Sequence, residues 1–238
     1  MKIIAISDLH GYLPSIKEKA DILCICGDIS PLNIQFNKPE MLNWLHGPFM
    51  EWIKSVPVEK VYLIAGNHDA WFEGASKAKL MELQFLSSNK LVYLDNEVTH
   101  YIDDNGKLWS IFGTPYCKVF GTWPFMRTEE TLVEKYAEIP DEVDIILSHD
   151  TPYGVGGQDL ILETVRWSNH NLKHIGNKPL VNRLKDVKYK ILFHGHIHSS
   201  SHCPDEFGTG KVVNVSVVDE SYDLVYDPYI LEINECGD

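Results

Sequence analysis

Five short apolar runs recur along the chain and predict buried β-strands. They lie at 2–7, 21–26, 61–65, 144–148 and 189–193. Nearly every position within each run is apolar, which is the pattern of strands that are covered on both faces. The runs therefore predict a sheet structure with helices packed against it.

Four longer stretches between these runs have the spacing of amphipathic helices. They lie at 41–56, 75–88, 128–139 and 179–187. Their apolar residues recur every three or four positions, so one face of each helix is predicted to pack on a sheet. Gly47-Pro48 predicts a kink in the first helix, because proline lacks the backbone N–H that a regular helix uses.

Two further stretches, 91–113 and 211–233, predict antiparallel meanders. Asn105-Gly106 is a strong signal for a tight turn in the first stretch, and the second has turn signals near Glu220 and Pro228. Together with the alternation of strands and helices elsewhere, this predicts an α/β fold with mixed sheets and outer helices. No linker interrupts residues 1–238, so we expect a single domain.

Composition and charge narrow the possible functions. The chain has 238 residues, of which 44% are hydrophobic and 23% are charged, as in an ordinary globular protein. Its 34 acidic residues exceed its 21 basic residues, which gives a formal net charge of −13. This surplus argues against a broad basic face of the kind that binds nucleic acid.

Cysteine usage and hydropathy bear on the cellular compartment. The five cysteines form no C-x-x-C pair, and Cys24 and Cys26 lie within a predicted buried strand. This usage indicates a reducing compartment. The apolar start MKIIAISD is too short for a secretory signal, and no apolar run reaches the length of a membrane span. We therefore expect a cytoplasmic protein with no membrane contact.

Metal-ligating residue types directly follow each of the five predicted strands. In chain order they are Asp8 and His10, Asp28, Asn67 to Asp69, His149, and His196 and His198. The carboxyl ends of strands in an open α/β sheet border the crevice where ligands bind. Residues that are far apart in the sequence are therefore predicted to meet in one crevice.

The chemistry of these side chains predicts a pair of metal ions. Two carboxylates, one amide and four imidazoles suit Mn, Fe, Zn or Co, and suit Mg less well. Seven ligands are too many for one ion, whereas two divalent ions that share one carboxylate would use all of them. Gly27, Gly66 and Gly195 let the backbone turn sharply or approach an ion closely.

The order D-x-H, G-D, G-N-H-D, H and G-H-x-H across residues 8–198 resembles the calcineurin-like metallophosphoesterase superfamily. The segments 111–125 and 174–184, with the tail after GHIH, further resemble its MPPED-type subgroup, which is close to class III cyclic nucleotide phosphodiesterases. The resemblance implies a four-layer αββα sandwich with two mixed β-sheets.

The resemblance also implies a role for each residue. One ion would be held by Asp8, His10, Asp28 and His198, and the other by Asp28, Asn67, His149 and His196. Asp28 would bridge the two ions, and His68 would be the catalytic residue that faces the phosphoryl group or its leaving group. The expected substrate contacts are Asn67, His68 and His174.

The implied activity is hydrolysis of phosphodiester bonds in small substrates, with cyclic nucleotides and aryl phosphodiesters as candidates. The nucleophile would be a hydroxide that bridges both metal ions and attacks phosphorus in line with the leaving oxygen. Two divalent ions, two aspartates and this hydroxide leave a formal charge of about +1, so an acidic protein still attracts a phosphate ester there. The oligomeric state stays open.

Other functions remain as alternatives within the same fold. A phosphomonoesterase or protein phosphatase is less favoured, because the second block reads Gly27-Asp28-Ile29-Ser30 and lacks the GDxVDRG extension of protein phosphatases. The absence of basic runs disfavours a nuclease. A non-catalytic metal-binding scaffold is disfavoured because no ligand position is degraded.

Residues outside these blocks allow more than one interpretation. Trp71, Phe72, Tyr116 and Trp123 are compatible either with a stacking slot for a base or aryl group or with the core. Asp69 and Asp150 are candidates for orienting a neighbouring imidazole. We interpret His194 as a packing residue, and His46, His100, His170 and His202 as structural or solvated.

Overall fold

The computed structural model describes residues 1–163 and 171–233. The strands are β1 (Lys2–Ile6), β2 (Ala20–Cys26), β3 (Val58–Ile64), β4 (Leu91–Tyr93), β5 (Glu97–Ile102), β6 (Leu108–Thr114), β7 (Cys117–Lys118), β8 (Met126–Arg127), β9 (Ile145–Ser148), β10 (Leu160–Glu163), β11 (Asn171–His174), β12 (Ile191–His194), β13 (Asp205–Phe207), β14 (Gly210–Asn214) and β15 (Tyr229–Glu232). The helices are α1 (Lys38–Trp44), α2 (Met50–Ser55), α3 (Lys77–Leu86), α4 (Glu129–Ala137) and α5 (Lys178–Leu184), and a π-helical turn at Leu45–Phe49 joins α1 to α2.

Two mixed β-sheets carry the fold. The first has the strand order β15-β1-β2-β3-β4, in which β1 to β4 are parallel and β15 is antiparallel to β1. The second has the order β13-β14-β12-β9-β6-β5, with four parallel central strands and an antiparallel strand at each edge. β10 pairs with β11, and β7 pairs with β8. The predicted α/β fold with two mixed sheets is confirmed.

The two sheets pack face to face. Cys24 and Ile64 of the first sheet share a buried cluster with Phe193 of the second. Successive side chains of a strand point to opposite faces, so the remaining strand residues face outward. Helices α1 and α2 connect the parallel neighbours β2 and β3, and α4 and α5 lie in the connections of β6, β9 and β12. Such crossovers cover the outer faces, which gives the four layers α, β, β, α.

The predicted kink at Gly47-Pro48 is the π-helical turn. Pro48 lies inside this wider turn, which accommodates a residue that donates no backbone hydrogen bond. The other three predicted helices are present with slightly different ends. α5 begins after Asn177, whose side chain accepts a hydrogen bond from the Leu180 N–H at 3.0 Å.

The two predicted meanders are partly wrong. In the first, only β5 and β6 form the hairpin around Asn105-Gly106, whereas β4 joins the first sheet beside β3. In the second, an antiparallel bridge between Val218 and Leu224 flanks the predicted turn near Glu220. The strands on either side do not pair with each other, because β14 pairs in parallel with β12 while β15 crosses to the first sheet and pairs with β1. Periodicity predicts that a strand exists, but its partner depends on contacts that are distant in the sequence.

Cysteine placement agrees with the buried positions expected from the sequence. Cys24, Cys26 and Cys117 are buried free thiols, and Cys203 is an exposed one. Across the two described ranges, no helix has the length and apolarity required to span a bilayer. His170 and Cys236 lie outside the described residues.

Candidate metal centre

The predicted ligands lie where parallel strands of both sheets end. Asp8, Asp28 and Asn67 follow β1, β2 and β3 of the first sheet, while His149 and His196 follow β9 and β12 of the second. Because the two sheets face each other, these strand ends meet at one edge of the sandwich. Contacts between them, described below, show that chain-distant residues share one site.

The backbone at this edge adopts a conformation that ordinary residues avoid. Four of the predicted ligands have a positive φ angle, in the left-handed region: Asp8 (57°), His10 (43°), Asp28 (52°) and His196 (74°). Each such residue lowers the free energy of unfolding by on the order of 1–3 kcal/mol, and residues of this kind cluster at functional sites. Gly27, directly before Asp28, has a φ of 97°, which only glycine adopts without strain.

Two glycines allow close approach of the backbone to the ligands. A Cβ atom at residue 66 would overlap Asp28 and His149, and one at residue 195 would overlap Asp8 and Ser7. Neither position has room for a methyl group, because the atoms that it would meet are themselves buried. The predicted role of Gly66 and Gly195 in close approach agrees with this geometry.

We expect Gly195→Ala to lower the free energy of unfolding of the metal-free protein by about 1–3 kcal/mol, because the added methyl group forces Asp8 or Ser7 to move. Urea titration of the chelator-treated chain measures this change. Gly47→Ala is the matched control, since no atom lies within 4 Å of a Cβ at that position. Equal stability of the two variants would contradict the packing argument.

Asp8 is the most extensively hydrogen-bonded of the predicted ligands. Its carboxylate accepts hydrogen bonds from Ser216 Oγ at 2.6 Å and from the His196 backbone N–H at 3.1 Å, and His198 Nε2 lies 3.4 Å away. Burial by itself would raise the pKa of Asp8, but His198, His149 and His10 hold that pKa well below its usual range. Asp8 is therefore a fixed, ionised carboxylate.

Asp28 lies between imidazoles from different strand ends. Its Oδ1 accepts a hydrogen bond from the His68 backbone N–H at 2.7 Å, while Oδ2 is 3.5 Å from His149 Nε2 and 3.9 Å from His10 Nε2. Burial, reinforced by the nearby Asp69 and Asp8, raises the pKa of Asp28 to about 7. A second negative charge beside Asp8 is thus unfavourable without a compensating cation.

Backbone carbonyls fix the orientation of two of the imidazoles. His149 Nδ1 donates to the Cys26 carbonyl at 2.9 Å, and His198 Nδ1 donates to the Asp219 carbonyl at 3.1 Å. In both rings this leaves Nε2 to face the site, which is the usual arrangement around protein-bound metals. His149 Nε2 lies 2.9 Å from Asn67 Oδ1, so the two predicted ligands converge on one point.

His10 provides the test of whether these residues suit a cation. Its side chain is fully buried, and neither ring nitrogen has a hydrogen-bond partner in the described part of the chain. Burial lowers the pKa of His10 to about 3, so the imidazole is neutral and keeps a lone pair for a metal. A buried, unpartnered imidazole is costly unless something binds it.

Two groups of three residues have donor atoms within 4.8 Å of one another. They are Asp8, His10 and His198, and Asp8, Asp28 and His149. Oxygen and imidazole donors at this spacing fit divalent metal ions. His196 lies beside the second group, with its ring centroid 5.0 Å from that of His149.

A cavity of about 240 Å³ opens onto these residues. Its lining consists of Asp28, Asn67, His68, Phe120, Trp123, His196, His198, Glu220 and Tyr222. His68 Nδ1 lies 2.6 Å from Gln35 Oε1, and its ring packs edge-on against His10 with 4.9 Å between centroids. Burial lowers the pKa of His68 to about 4.

Several residues of the site carry no sequence signal. Ser216, Gln35 and Asp219 lie in loops or at a strand end and match no spacing rule, although each contacts a predicted ligand or His68. Phe120 and Tyr222 border the cavity and were not predicted. A polar or aromatic residue in a loop has no periodicity that would reveal its position, so only the folded chain identifies it.

For four aromatic residues the sequence leaves two possible locations, and the structure places three of them in the core and one at the cavity. Trp71, Phe72 and Tyr116 are buried in the hydrophobic core. Trp123 lines the cavity, and its ring centroid lies 4.6 Å from that of His68.

The remaining candidate residues have other contacts. His174 Nδ1 lies 2.7 Å from Asp159 Oδ1, and His174 is absent from the cavity lining; its substrate role stays a prediction. His194 is buried between Gln158 and Thr151, as expected of a packing residue.

In the described part of the chain neither Asp69 nor Asp150 hydrogen-bonds an imidazole, which is contrary to the orienting role considered for them. Asp69 accepts hydrogen bonds from the backbone N–H groups of Ser30 and Gly66 and thereby ties together the loops after β2 and β3. Asp150 accepts from the Lys118 N–H and from Asn177 Nδ2. Both carboxylates hold loops in place.

Comparisons with known proteins agree with this fold and site. Residues 1–200 match the family model described as calcineurin-like phosphoesterase. Metallophosphoesterase domain-containing protein 1 of Homo sapiens is 26% identical over 254 residues, which cover 98% of this chain and 71% of that protein. UPF0046 protein C25E10.12 of Caenorhabditis elegans is 27% identical over 249 residues, which cover 98% of this chain and 81% of that protein. These relatives support the resemblance to the MPPED-type subgroup.

A solved structure with a TM-score of 0.64 and 15% sequence identity covers 90% of this chain and 89% of its own length. At this identity the likeness concerns the fold alone. It agrees with the two mixed sheets described above.

Proposed function

Because the chain belongs to the calcineurin-like phosphoesterase family, we propose that it is a dinuclear, metal-dependent phosphodiesterase that acts on small substrates. The family membership makes it a phosphoric ester hydrolase, and the diester preference is the proposed refinement. The observation that supports metal dependence most strongly is His10, whose two buried ring nitrogens have no partner among the described residues.

The proposed ligand sets are those that the family resemblance implies. Asp8, His10, Asp28 and His198 would hold one ion, and Asp28, Asn67, His149 and His196 the other. Asp28 is proposed as the shared ligand, since its Oδ2 lies within 4 Å of imidazoles from both sets. When bound, such ions polarise the phosphoryl group and lower the pKa of a water nucleophile. The donor types favour Mn, Fe, Zn or Co.

Backbone and side-chain groups around the cavity have different roles. The Cys26 and Asp219 carbonyls orient the rings of His149 and His198. Gln35 Oε1 accepts a hydrogen bond from His68 Nδ1, which leaves His68 Nε2 as the nitrogen available to the substrate. The neutral ring then has a lone pair at Nε2, so His68 donates a proton to the leaving oxygen only after it has taken up a second proton at that nitrogen.

The charged side chains that line the cavity, apart from the metal ligands, disfavour a monoester relative to a diester. No lysine or arginine is among the lining residues that the structure describes, and the lining includes the carboxylate residue Glu220. A phosphodiester carries one negative charge at neutral pH, whereas a phosphomonoester carries nearly two. Glu220 therefore repels a monoester more strongly than a diester.

The test is an assay of the purified chain after chelation and reloading with Mn²⁺. We expect about tenfold higher kcat/KM for bis(p-nitrophenyl) phosphate than for p-nitrophenyl phosphate, because the monoester carries the extra charge. Elemental analysis should find two ions per chain, and chelator should abolish turnover. Preferential monoester hydrolysis would favour the phosphomonoesterase alternative, and two bound ions without any turnover would favour a scaffold.

Glu220→Gln tests whether the negative charge of Glu220 contributes to the preference for a diester. This variant should narrow the preference for the diester, because it removes one negative charge from the cavity lining. Glu206→Gln is the matched control, since Glu206 is exposed on β13 and outside the cavity.

The cytoplasmic location stays a prediction from composition.

A further inference from the structure

Residues 214–222 lie beyond the part of the chain that matches the family model, which ends at residue 200. This stretch, called the supporting segment below, starts at the last residue of β14 and contains none of the predicted metal ligands. It nevertheless contacts three of the four residues proposed to hold the first ion, which are Asp8, His10 and His198. Each of these contacts comes from a different residue of the segment.

The supporting segment joins the two sheets at the edge where the ligands lie. The Val215 N–H donates to the His194 carbonyl of β12 at 2.8 Å, and the Val215 carbonyl accepts from the Ser7 N–H at 2.8 Å. The Val217 N–H donates to the Ser7 carbonyl at 3.0 Å, and Ser7 directly follows β1. The segment therefore fixes the end of β1 in the first sheet against the end of β12 in the second.

Ser216 hydrogen-bonds a proposed ligand carboxylate directly. Its buried hydroxyl donates to Asp8 Oδ2 at 2.6 Å. The other oxygen, Asp8 Oδ1, lies 3.4 Å from His198 Nε2. A hydrogen bond to one oxygen of a carboxylate restricts the rotation of the group and so directs the other oxygen. Ser216 therefore holds Asp8 Oδ1 toward the imidazole with which Asp8 is proposed to share the first ion.

Asn214 anchors the loop that carries His196 and His198. Its side chain is buried, and Nδ2 donates at 2.9 Å to the carbonyl of Ile197, which lies between these two histidines. Asn214 Oδ1 accepts a hydrogen bond from the Ser216 N–H at 3.1 Å. One side chain therefore connects the backbone that presents Ser216 to the backbone that presents the two histidines.

The end of the supporting segment is a tight turn that contacts two imidazoles of the first set. The Asp219 carbonyl accepts from His198 Nδ1 at 3.1 Å, and the Tyr222 ring packs edge-on against His10 with 4.7 Å between centroids. The turn is closed by the Ser221 N–H, which donates to Asp219 Oδ1 at 2.8 Å. Tyr222 has a φ of 63°, a conformation that persists in such a residue only where its surroundings hold it.

The second ligand set is supported from elsewhere in the chain. The Cys26 carbonyl orients His149, whose Nε2 lies 2.9 Å from Asn67 Oδ1. Among the described residues, no hydrogen bond or ring contact joins the supporting segment to Asn67, His149 or His196. The direct contacts between the segment and the ligands are therefore confined to the first set.

We propose that the supporting segment positions the first metal site and not the second, and that Ser216 is a positioning residue of that site. The inference rests on the ligand sets of the proposed function, and it goes beyond them by giving a role to a segment that supplies no ligand. Loss of a group that hydrogen-bonds a metal ligand typically weakens metal binding by about 10- to 100-fold. Ser216→Ala should therefore weaken one ion by about that factor and change the affinity of the other by about threefold or less.

Metal titration of the full chain tests the proposal without turnover. Mn²⁺ is added to the chelator-treated protein in competition with a chelator of known affinity, which gives the affinity of each ion. Ser87→Ala is the matched control, since Ser87, like Ser216, is 1% exposed, and its hydroxyl donates to the Gln84 carbonyl at the end of α3. This control should bind both ions as the unaltered chain does, and urea unfolding of the metal-free variants verifies that each is folded.

Variants that keep one of the two sites show which ion responds. His10→Ala removes a ligand proposed only for the first ion, and His196→Ala removes one proposed only for the second. Adding Ser216→Ala to His196→Ala should weaken the remaining ion by about 10- to 100-fold. Adding it to His10→Ala should change the remaining affinity by about threefold or less. An equal effect in both backgrounds, an effect confined to His10→Ala, or no effect in either would overturn the proposal.

The two proposals fail in different ways. If the loaded chain hydrolyses no phosphodiester, the proposed function is wrong, whereas the comparison of metal affinities is still measurable. If the chain hydrolyses diesters but Ser216→Ala weakens both ions equally or neither, only the inference about the supporting segment is wrong.

Discussion

Asp28→Ala is expected to lose both metal ions and to reduce kcat/KM to the level of the metal-free protein. Asp28 is 1% exposed, and its Oδ2 faces His149 at 3.5 Å and His10 at 3.9 Å. These imidazoles belong to different proposed ligand sets, so removing the carboxylate between them weakens both sites. Elemental analysis of the purified variant gives the metal content, and the diester assay gives the activity.

Asp8→Ala distinguishes the shared ligand from an unshared one. Asp8 belongs to both of the compact donor groups, whereas the proposed assignment makes it a ligand of one ion. If Asp28 bridges, Asp8→Ala should retain about one ion per chain and Asp28→Ala none. The reverse result would assign the bridging role to Asp8. Asp104→Ala, which alters an exposed residue in the turn between β5 and β6, should keep both ions.

His68→Ala is expected to lower kcat by about 10²–10⁴ while both ions remain bound. The His68 side chain lines the cavity, and its Nδ1 is engaged by Gln35 rather than by any predicted metal ligand. Its contribution is therefore a positioned hydrogen bond or proton at Nε2, and the metal sites do not depend on its ring. Steady-state kinetics and elemental analysis on one preparation measure both quantities.

A matched control variant and two alternative results test the role of His68. His100→Ala removes an exposed imidazole on β5 and should leave kcat and metal content unchanged. If metal content fell to half in His68→Ala, His68 would be a ligand and its assigned role would be wrong. A large rise in KM at constant kcat would make it a binding residue instead.

Strand ends explain why so much of the site was predictable. Apolar runs fix where β1, β2, β3, β9 and β12 occur, and the residue types directly after them fix which groups reach the shared edge. Gly195 illustrates the same point, because its close approach to Asp8 follows from its position between two histidines at a strand end. The fold class and the family were predicted from these local patterns and are confirmed.

Pairing between distant segments was not predictable in the same way. The stretch 211–233 has the alternation of a meander, yet β14 and β15 belong to different sheets. The alternation of apolar and polar residues indicates which side chains are buried. A meander and a pairing with two different sheets bury the same side chains. The choice between them depends on which neighbouring strand offers a free edge in the assembled chain.

By itself, the sequence determined the fold class, the family and the donor groups at the strand ends, because periodicity and residue type act locally. The tertiary structure alone decided that Ser216 supports Asp8, that Gln35 contacts His68, and that Trp123 borders the cavity while Trp71 joins the core. These assignments depend on contacts between loops. Loop residues carry no periodic signal, so their neighbours are set only when the two sheets pack together.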